Sequence, residues 1–223
     1  MLISCFFVVH AEDQRRIIVI DPGHGGEDGG AEYMGYIEAE LNLKIALKLK
    51  DVYEENGYRV VMTRTENKSL CDDGFNKRRD MDKRIDIINS ANALYMISIH
   101  LNIFSDSRYY GAQTFYSAVN SSSILLADFI QTSIIESLKN TKRQIVKRDN
   151  IYLLNKVTIP AVIVECGFLT NDDERNRLID EEYQRALVWA IFDGASLMEI
   201  YAWKKADDMS ALISLLSVVE FDN

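Results

Sequence analysis

Histidine and cysteine are both scarce in this 223-residue chain, with three of each. The cysteines, Cys5, Cys71 and Cys166, form no CxxC pair, which removes the zinc-ribbon and redox-dithiol readings. Positive charge is also in short supply: the net charge is −9, which argues against a nucleic-acid partner. No basic run interleaves with aromatics to make a single-strand platform. No stretch reaches the roughly 18 apolar residues of a membrane span. GxGxxG is missing, and no Gly-Lys-Ser/Thr follows the glycines between 23 and 30, so there is no nucleotide loop. No repeat, low-complexity tract or linker interrupts the chain, whose length fills one domain better than two.

What is present has a clear order. Hydrophobic content of 48% with 26% charged residues is ordinary for a globular enzyme. Residues 1–11, MLISCFFVVHA, resemble the hydrophobic part of an export signal, with Val9 and Ala11 at small-residue cleavage positions. They predict a leader removed from an exported protein. Residues 12–203 then read as one domain in which strands alternate with helices. Strands are expected at 17–20, 58–62, 94–99, 113–116, 151–154 and 161–164. Helices are expected at 38–55, 82–91, 121–138 and 182–203, from apolar residues repeating on one face. Asn171, with Glu174 three residues on, reads as a capping box opening a further helix. Residues 64–79 lack a period and predict a surface excursion. The tail, 204–223, would carry Leu212, Leu215, Leu216 and Val219 as one stripe if helical. Alternation of this kind predicts an α/β fold, a mostly parallel sheet with helices on both faces.

Three apolar runs end on chemistry. Ile17–Ile20 leads into Asp21-Pro22-Gly23-His24, the run from Leu94 ends on His100, and Ala161–Val164 ends on Glu165. Ligands of parallel sheets bind beyond the carboxyl ends of the strands, and imidazole is the commonest zinc ligand. A catalytic zinc takes three protein ligands and keeps one position open. The third is expected at the start of the first helix, from Glu38 or Glu40. These lie roughly 200° apart around the helix axis, and Glu38 shares the side of Leu41, Ile45 and Leu49, which favours it. A carboxylate at the end of a buried strand, as at Glu165, needs compensation. A metal, or a water activated by it, would supply that.

With these residues in view, the chain resembles the zinc-dependent N-acetylmuramoyl-L-alanine amidases. The resemblance rests on DPGHGG at 21–26, EAELNL at 38–43, SIHLN at 98–102 and VECGFLTN at 164–171, over roughly residues 16–200. GAQTFY at 111–116 and NIYLL at 150–154 resemble the sporulation branch, which contains the germination-specific amidase of spore cortex. The resemblance implies a single-domain, six-stranded α/β fold, one Zn2+ on His24, Glu38 and His100, and Glu165 as the catalytic carboxylate. It implies peptidoglycan as substrate, cleaved between the muramic lactyl group and L-alanine on the way to muramic-δ-lactam. It also implies a site of action in the cell wall or forespore intermembrane space and leaves room for an accessory protein. Leu101 departs from the alanine common at its position, and Cys166 from the small or β-branched residue common there.

Three other readings compete. A silent peptidoglycan-binding module would keep the fold and lose a site residue, yet all four are present. Another zinc hydrolase, a carboxypeptidase or deacetylase, would use the same ligands on a different bond. A thiol hydrolase on Cys166 is weakest, because a neighbour of Glu165 on a strand points to the opposite face.

Overall fold

The computed structural model describes the backbone of residues 16–219 and the side chains of residues 16–208. The leader at 1–11 and the apolar stripe of the tail lie outside the described residues and side chains. Along the chain the elements are β1 (Ile17–Pro22), β2 (Glu32–Tyr33), β3 (Tyr36–Ile37), α1 (Glu38–Glu55), β4 (Arg59–Met62), α2 (Lys77–Ser90) and β5 (Met96–Asn102). There follow β6 (Gln113–Tyr116), α3 (Ser123–Leu138), β7 (Val146–Lys147), α4 (Tyr152–Lys156), β8 (Ala161–Phe168), α5 (Asp172–Ile179) and α6 (Glu181–Val219). Six strands form one sheet in the order β4-β1-β5-β8-β6-β7. The first four of that order run parallel, and β6 turns antiparallel to β8.

Side-chain alternation along the central strands divides the interior in two. Ile18 and Ile20 of β1, Ile97 and Ile99 of β5, and Val162 and Val164 of β8 face α1, α3, α5 and α6. Val19, Met96 and Ile163 face the smaller layer made by α2 and α4. Both faces are therefore covered, as strands with near-continuous apolar runs require. The helix face read from Leu41, Ile45 and Leu49 is buried on the first side.

Four expectations need correction. Residues 151–154 are not a strand: Tyr152–Lys156 is the short helix α4, with Leu153 and Leu154 buried. A short unbroken apolar run has no period to separate the two states, and helix lets both leucines pack under the sheet. The sixth strand is instead the two-residue edge β7. The excursion at 64–79 is exposed only in part: Arg64 is buried, and α2 starts at Lys77, where the Asn76 side chain accepts the Arg79 amide at 3.0 Å. Asn171 does cap α5 by accepting the Glu174 amide, but Glu174 turns away from the box and accepts the Phe168 amide at 2.9 Å.

Candidate metal and catalytic site

The site assembles where β1, β5 and β8 end. The strands run past the residues that were expected to close them. His100 lies within β5 and Glu165 within β8, directly paired in register, so both side chains rise from the same sheet face. His24 follows β1 in a left-handed backbone conformation, φ 60°, which is costly for a residue with a Cβ. Arg84 holds it there, donating to the His24 carbonyl at 2.6 Å.

Glu38 is the first residue of α1. No side chain caps that helix, whose first amides are taken by backbone instead: Glu38 N–H donates to Ala31 and Ala39 N–H to Gly29. The Glu38 side chain is thus free to turn inward, and its charge sits at the positive end of the helix dipole. Its Oε1 lies 3.0 Å from His100 Nδ1 and 3.4 Å from His24 Nε2, and accepts the Leu101 amide at 3.2 Å. Its Oε2 accepts the Ala31 amide at 2.8 Å. His24, Glu38 and His100 offer ligand atoms all within 4.8 Å of one another. Glu40 is exposed and lies outside this cluster.

Two glycines make the approach possible. A Cβ on Gly23 would stand 2.2 Å from His100 Nε2. At Gly30, φ +69°, it would stand 2.5 Å from Glu38 Oε2. A side chain at either position would displace a candidate ligand.

Charge is compensated closely around the cluster. Burial alone would raise the Glu38 carboxyl, but hydrogen bonds and charge from His100 and His24 hold it well below the carboxylate range. Burial would lower His24, yet Glu38 and Asp28 raise it on balance; Asp28 Oδ2 lies 2.9 Å from its Nδ1. Glu165 behaves oppositely. Burial pushes it up to about 7, with Glu38 adding to the rise and His100, His24 and Arg148 opposing it. Its Oε2 is sealed from solvent and has no hydrogen-bond partner among the described residues. Cys166, beside it, is fully buried among the apolar residues of the other face, and burial drives its thiol far above the usual range. That arrangement withholds the thiolate a nucleophile needs.

Sequence reasoning missed the supports. Asp21, fully buried, accepts from Thr63 and Arg84 on Oδ1 and from Ser98 on Oδ2. Arg84 also pairs with Asp80 at 2.8 Å and donates to the Pro22 carbonyl. Arg64 gathers the carbonyls of Pro22, Gly23 and Ala39. Two buried guanidinium groups therefore bind the backbone of the loop that presents His24 and tie it to α1. The four-residue spacing of Asp80 and Arg84 hints at a helical ion pair, but nothing in that spacing says it is buried.

A profile of the N-acetylmuramoyl-L-alanine amidase family matches residues 18–196, which includes every residue of this site. The chain belongs to that family. The amidase is 35% identical over 184 residues to the germination-specific N-acetylmuramoyl-L-alanine amidase of Bacillus subtilis, covering 80% of this chain and 78% of that one. Among solved structures, the CwlD amidase from Clostridioides difficile in complex with the GerS lipoprotein superposes with a TM-score of 0.79 at 38% identity. That match covers 84% of this chain and all of the other. The N-acetylmuramoyl-L-alanine amidase of Clostridium difficile 630 superposes with a TM-score of 0.73 at 32% identity, over 81% and 94%. The activity of the amidase is hydrolysis of the N-acetylmuramoyl-L-alanine amide, and the six-stranded α/β sheet is the fold of these relatives.

Proposed function

We propose that the amidase is zinc-dependent, with His24, Glu38 and His100 as the metal ligands and Glu165 as its general base and acid. The observation that carries this reading is the convergence of two imidazoles and one carboxylate beside a sealed, unpartnered Glu165 Oε2. Two nitrogens and one carboxylate oxygen are a ligand set catalytic zinc takes, leaving a position open. Zinc bound there supplies a Lewis acid and a water whose pKa falls to about 7.

The residues of the chain do the rest. The Glu165 carboxylate takes a proton from the attacking water as the new C–O bond forms at the lactyl carbonyl. It returns that proton to the alanine nitrogen as the C–N bond breaks, giving a carboxylate on the glycan and a free amine on the peptide. A group held near pH 7 is suited to both transfers. Arg64 and Arg84 keep the His24 loop in place, and the Asp28 carboxylate stands 2.9 Å from the outer nitrogen of His24 as an ion-pair neighbour.

The substrate we infer is spore-cortex peptidoglycan, with the stripped muramic acid going on to muramic-δ-lactam. Support comes from the germination-specific relative and from the CwlD neighbour. We further infer export, to the cell wall or the forespore intermembrane space, and action with an accessory protein, as the CwlD amidase was solved with a lipoprotein. Among the described residues no helix is long and apolar enough to cross a membrane.

Metal analysis together with mass spectrometry of digested cortex tests the reading. About one zinc per chain is expected, lost in His24→Ala and His100→Ala with the domain still folded. Products should be lactyl-ended glycan and peptides that begin with a new L-alanine amine. Release of acetate or D-alanine alone would identify a different hydrolase.

A further inference from the structure

The segment KRQIVKR at 142–148 places four positive charges in seven residues of a chain whose net charge is −9. Its members are not equivalent. Arg143 is committed to the fold, donating to the Tyr110 carbonyl and to Gln113. Lys147 pairs with Asp149 at 2.8 Å. Arg148 is exposed and has no ion-pair partner among the described residues, yet it is placed. Its amide donates to the Tyr116 carbonyl at 2.8 Å, and its guanidinium lies 4.8 Å from the centre of the Phe115 ring.

Sheet register says where that puts the charge. Phe115 pairs with Ile163, and Gln113 with Glu165, across the β6–β8 ladder. Phe115 and Ile163 belong to the same face as Glu165 and His100. Two residues along a strand and one strand across separate the Cα atoms of Glu165 and Phe115, about 8 Å in all. Between them lies Ile163, which also lines a cleft of about 120 Å³ with one apolar side and one charged side, the latter carrying His24, His100, Asp28 and Lys77. Met81, Ile151 and Leu153 complete the apolar side of that cleft. Moving outward from the cluster, the face presents a small apolar recess and then a fixed cation.

The leaving half of the substrate has the same order. Beyond the scissile amide comes the methyl group of L-alanine. The next residue of the stem is a γ-linked glutamate, which carries a free carboxylate on its α-carbon. Two extended residues span about 7 Å. Lys77, which also lines the cleft, pairs with Asp28 at 3.7 Å, whereas Arg148 has no such partner among the described residues. The N-acetylated glycan is uncharged, so an uncommitted cation here reads the peptide and not the sugar. We propose that Arg148 is a specificity-determining residue that binds the first free carboxylate of the stem peptide, with Ile163 and the cleft beneath it receiving the alanine. This deepens the amidase reading and rests on it. An acidic enzyme acting on an anionic stem gains from one placed countercharge, and a guanidinium matches a carboxylate in two-point geometry.

Two probes separate the outcomes: a muramoyl dipeptide with the free carboxylate and its carboxamide twin. Binding of each to the full-length protein is measured by calorimetry, and hydrolysis is followed separately. The unaltered protein should prefer the acid. Arg148→Ala should reduce that preference about 10-fold, the usual worth of a charged hydrogen bond, raising KM on the acid more than it lowers kcat. Arg148→Lys should recover part of it, and Lys44→Ala, a distant exposed cation, should leave the ratio alone. An acid-to-amide ratio that Arg148→Ala leaves within twofold of the unaltered protein, or no preference or binding at the outset, overturns the proposal. Binding of the probes without hydrolysis of them or of intact cortex would instead count against the amidase reading, and the ratio would still judge Arg148.

Discussion

The two faces of the central sheet are covered by different means. On the side of α1, α3, α5 and α6 the strands meet a thick apolar layer, and the inward residues of β1, β5 and β8 are Ile, Val, Leu and Cys. On the side of α2 and α4 the layer is thin, and the same strands turn Asp21, Ser98, His100 and Glu165 toward it. The first face is held by area removed from water. The second has a smaller apolar layer of its own and, beside it, buried charge pairs that are worth little net and costly to break. The contrast shows where a reactive site can be built: on the face where buried charge is already compensated, against a second face that needs no such help.

Glu165→Gln should break the chemistry of the second face most sharply. The change keeps size and removes the proton acceptor, so turnover should fall about 10²–10⁴-fold, with metal content and thermal midpoint unchanged. Turnover near that of the unaltered protein would place the base elsewhere. Arg84→Met keeps volume but leaves Asp21 and Asp80 without their cation; a loss of about 3–5 kcal/mol in urea unfolding is expected, together with weaker metal retention as the His24 loop loosens. On the first face, Leu49→Ala should cost about 2–5 kcal/mol through its cavity, while metal content per folded chain stays the same. If Leu49→Ala loses metal as Arg84→Met does, the faces are not separable in this way.

The smallest effect is one of pH. Asp21 is fully buried; burial raises its pKa, but Arg84, Ser98 and Thr63 more than offset that and lower it from 3.8 to about 2. A depressed carboxylate adds stability that is complete above its unfolded value and is lost as pH falls through the folded one. The Asp21 contribution should therefore fade between about pH 4 and pH 2, and Asp21→Asn should flatten the stability profile in that window.

The same contrast governed what could be read from sequence. Apolar strands announce themselves by composition, so β1, β5 and β8 were legible, and with them the positions of His24, His100 and Glu165. The choice of Glu38 over Glu40 followed from helix geometry alone. The supports were not legible. Arg64 and Arg84 have the composition of surface residues, and only the approach of β1, β4 and α2 buries them. Residues 151–154 have no period, so their helical state depends on what lies above them. The two-residue strands β2, β3 and β7 are too short to carry a pattern.

One carboxylate joins pieces that are far apart in sequence. Glu38 accepts the Ala31 amide from the glycine-rich loop and the Leu101 amide from β5, while Asn42, one turn along α1, donates to Glu38 and to the Gly23 carbonyl. Fluctuations of the loop, the strand end and the helix start are therefore not independent. Local opening at any of them must release the same carboxylate, so the Ala31 and Leu101 amides belong to one cooperative unit and should exchange their hydrogens with solvent at a common rate.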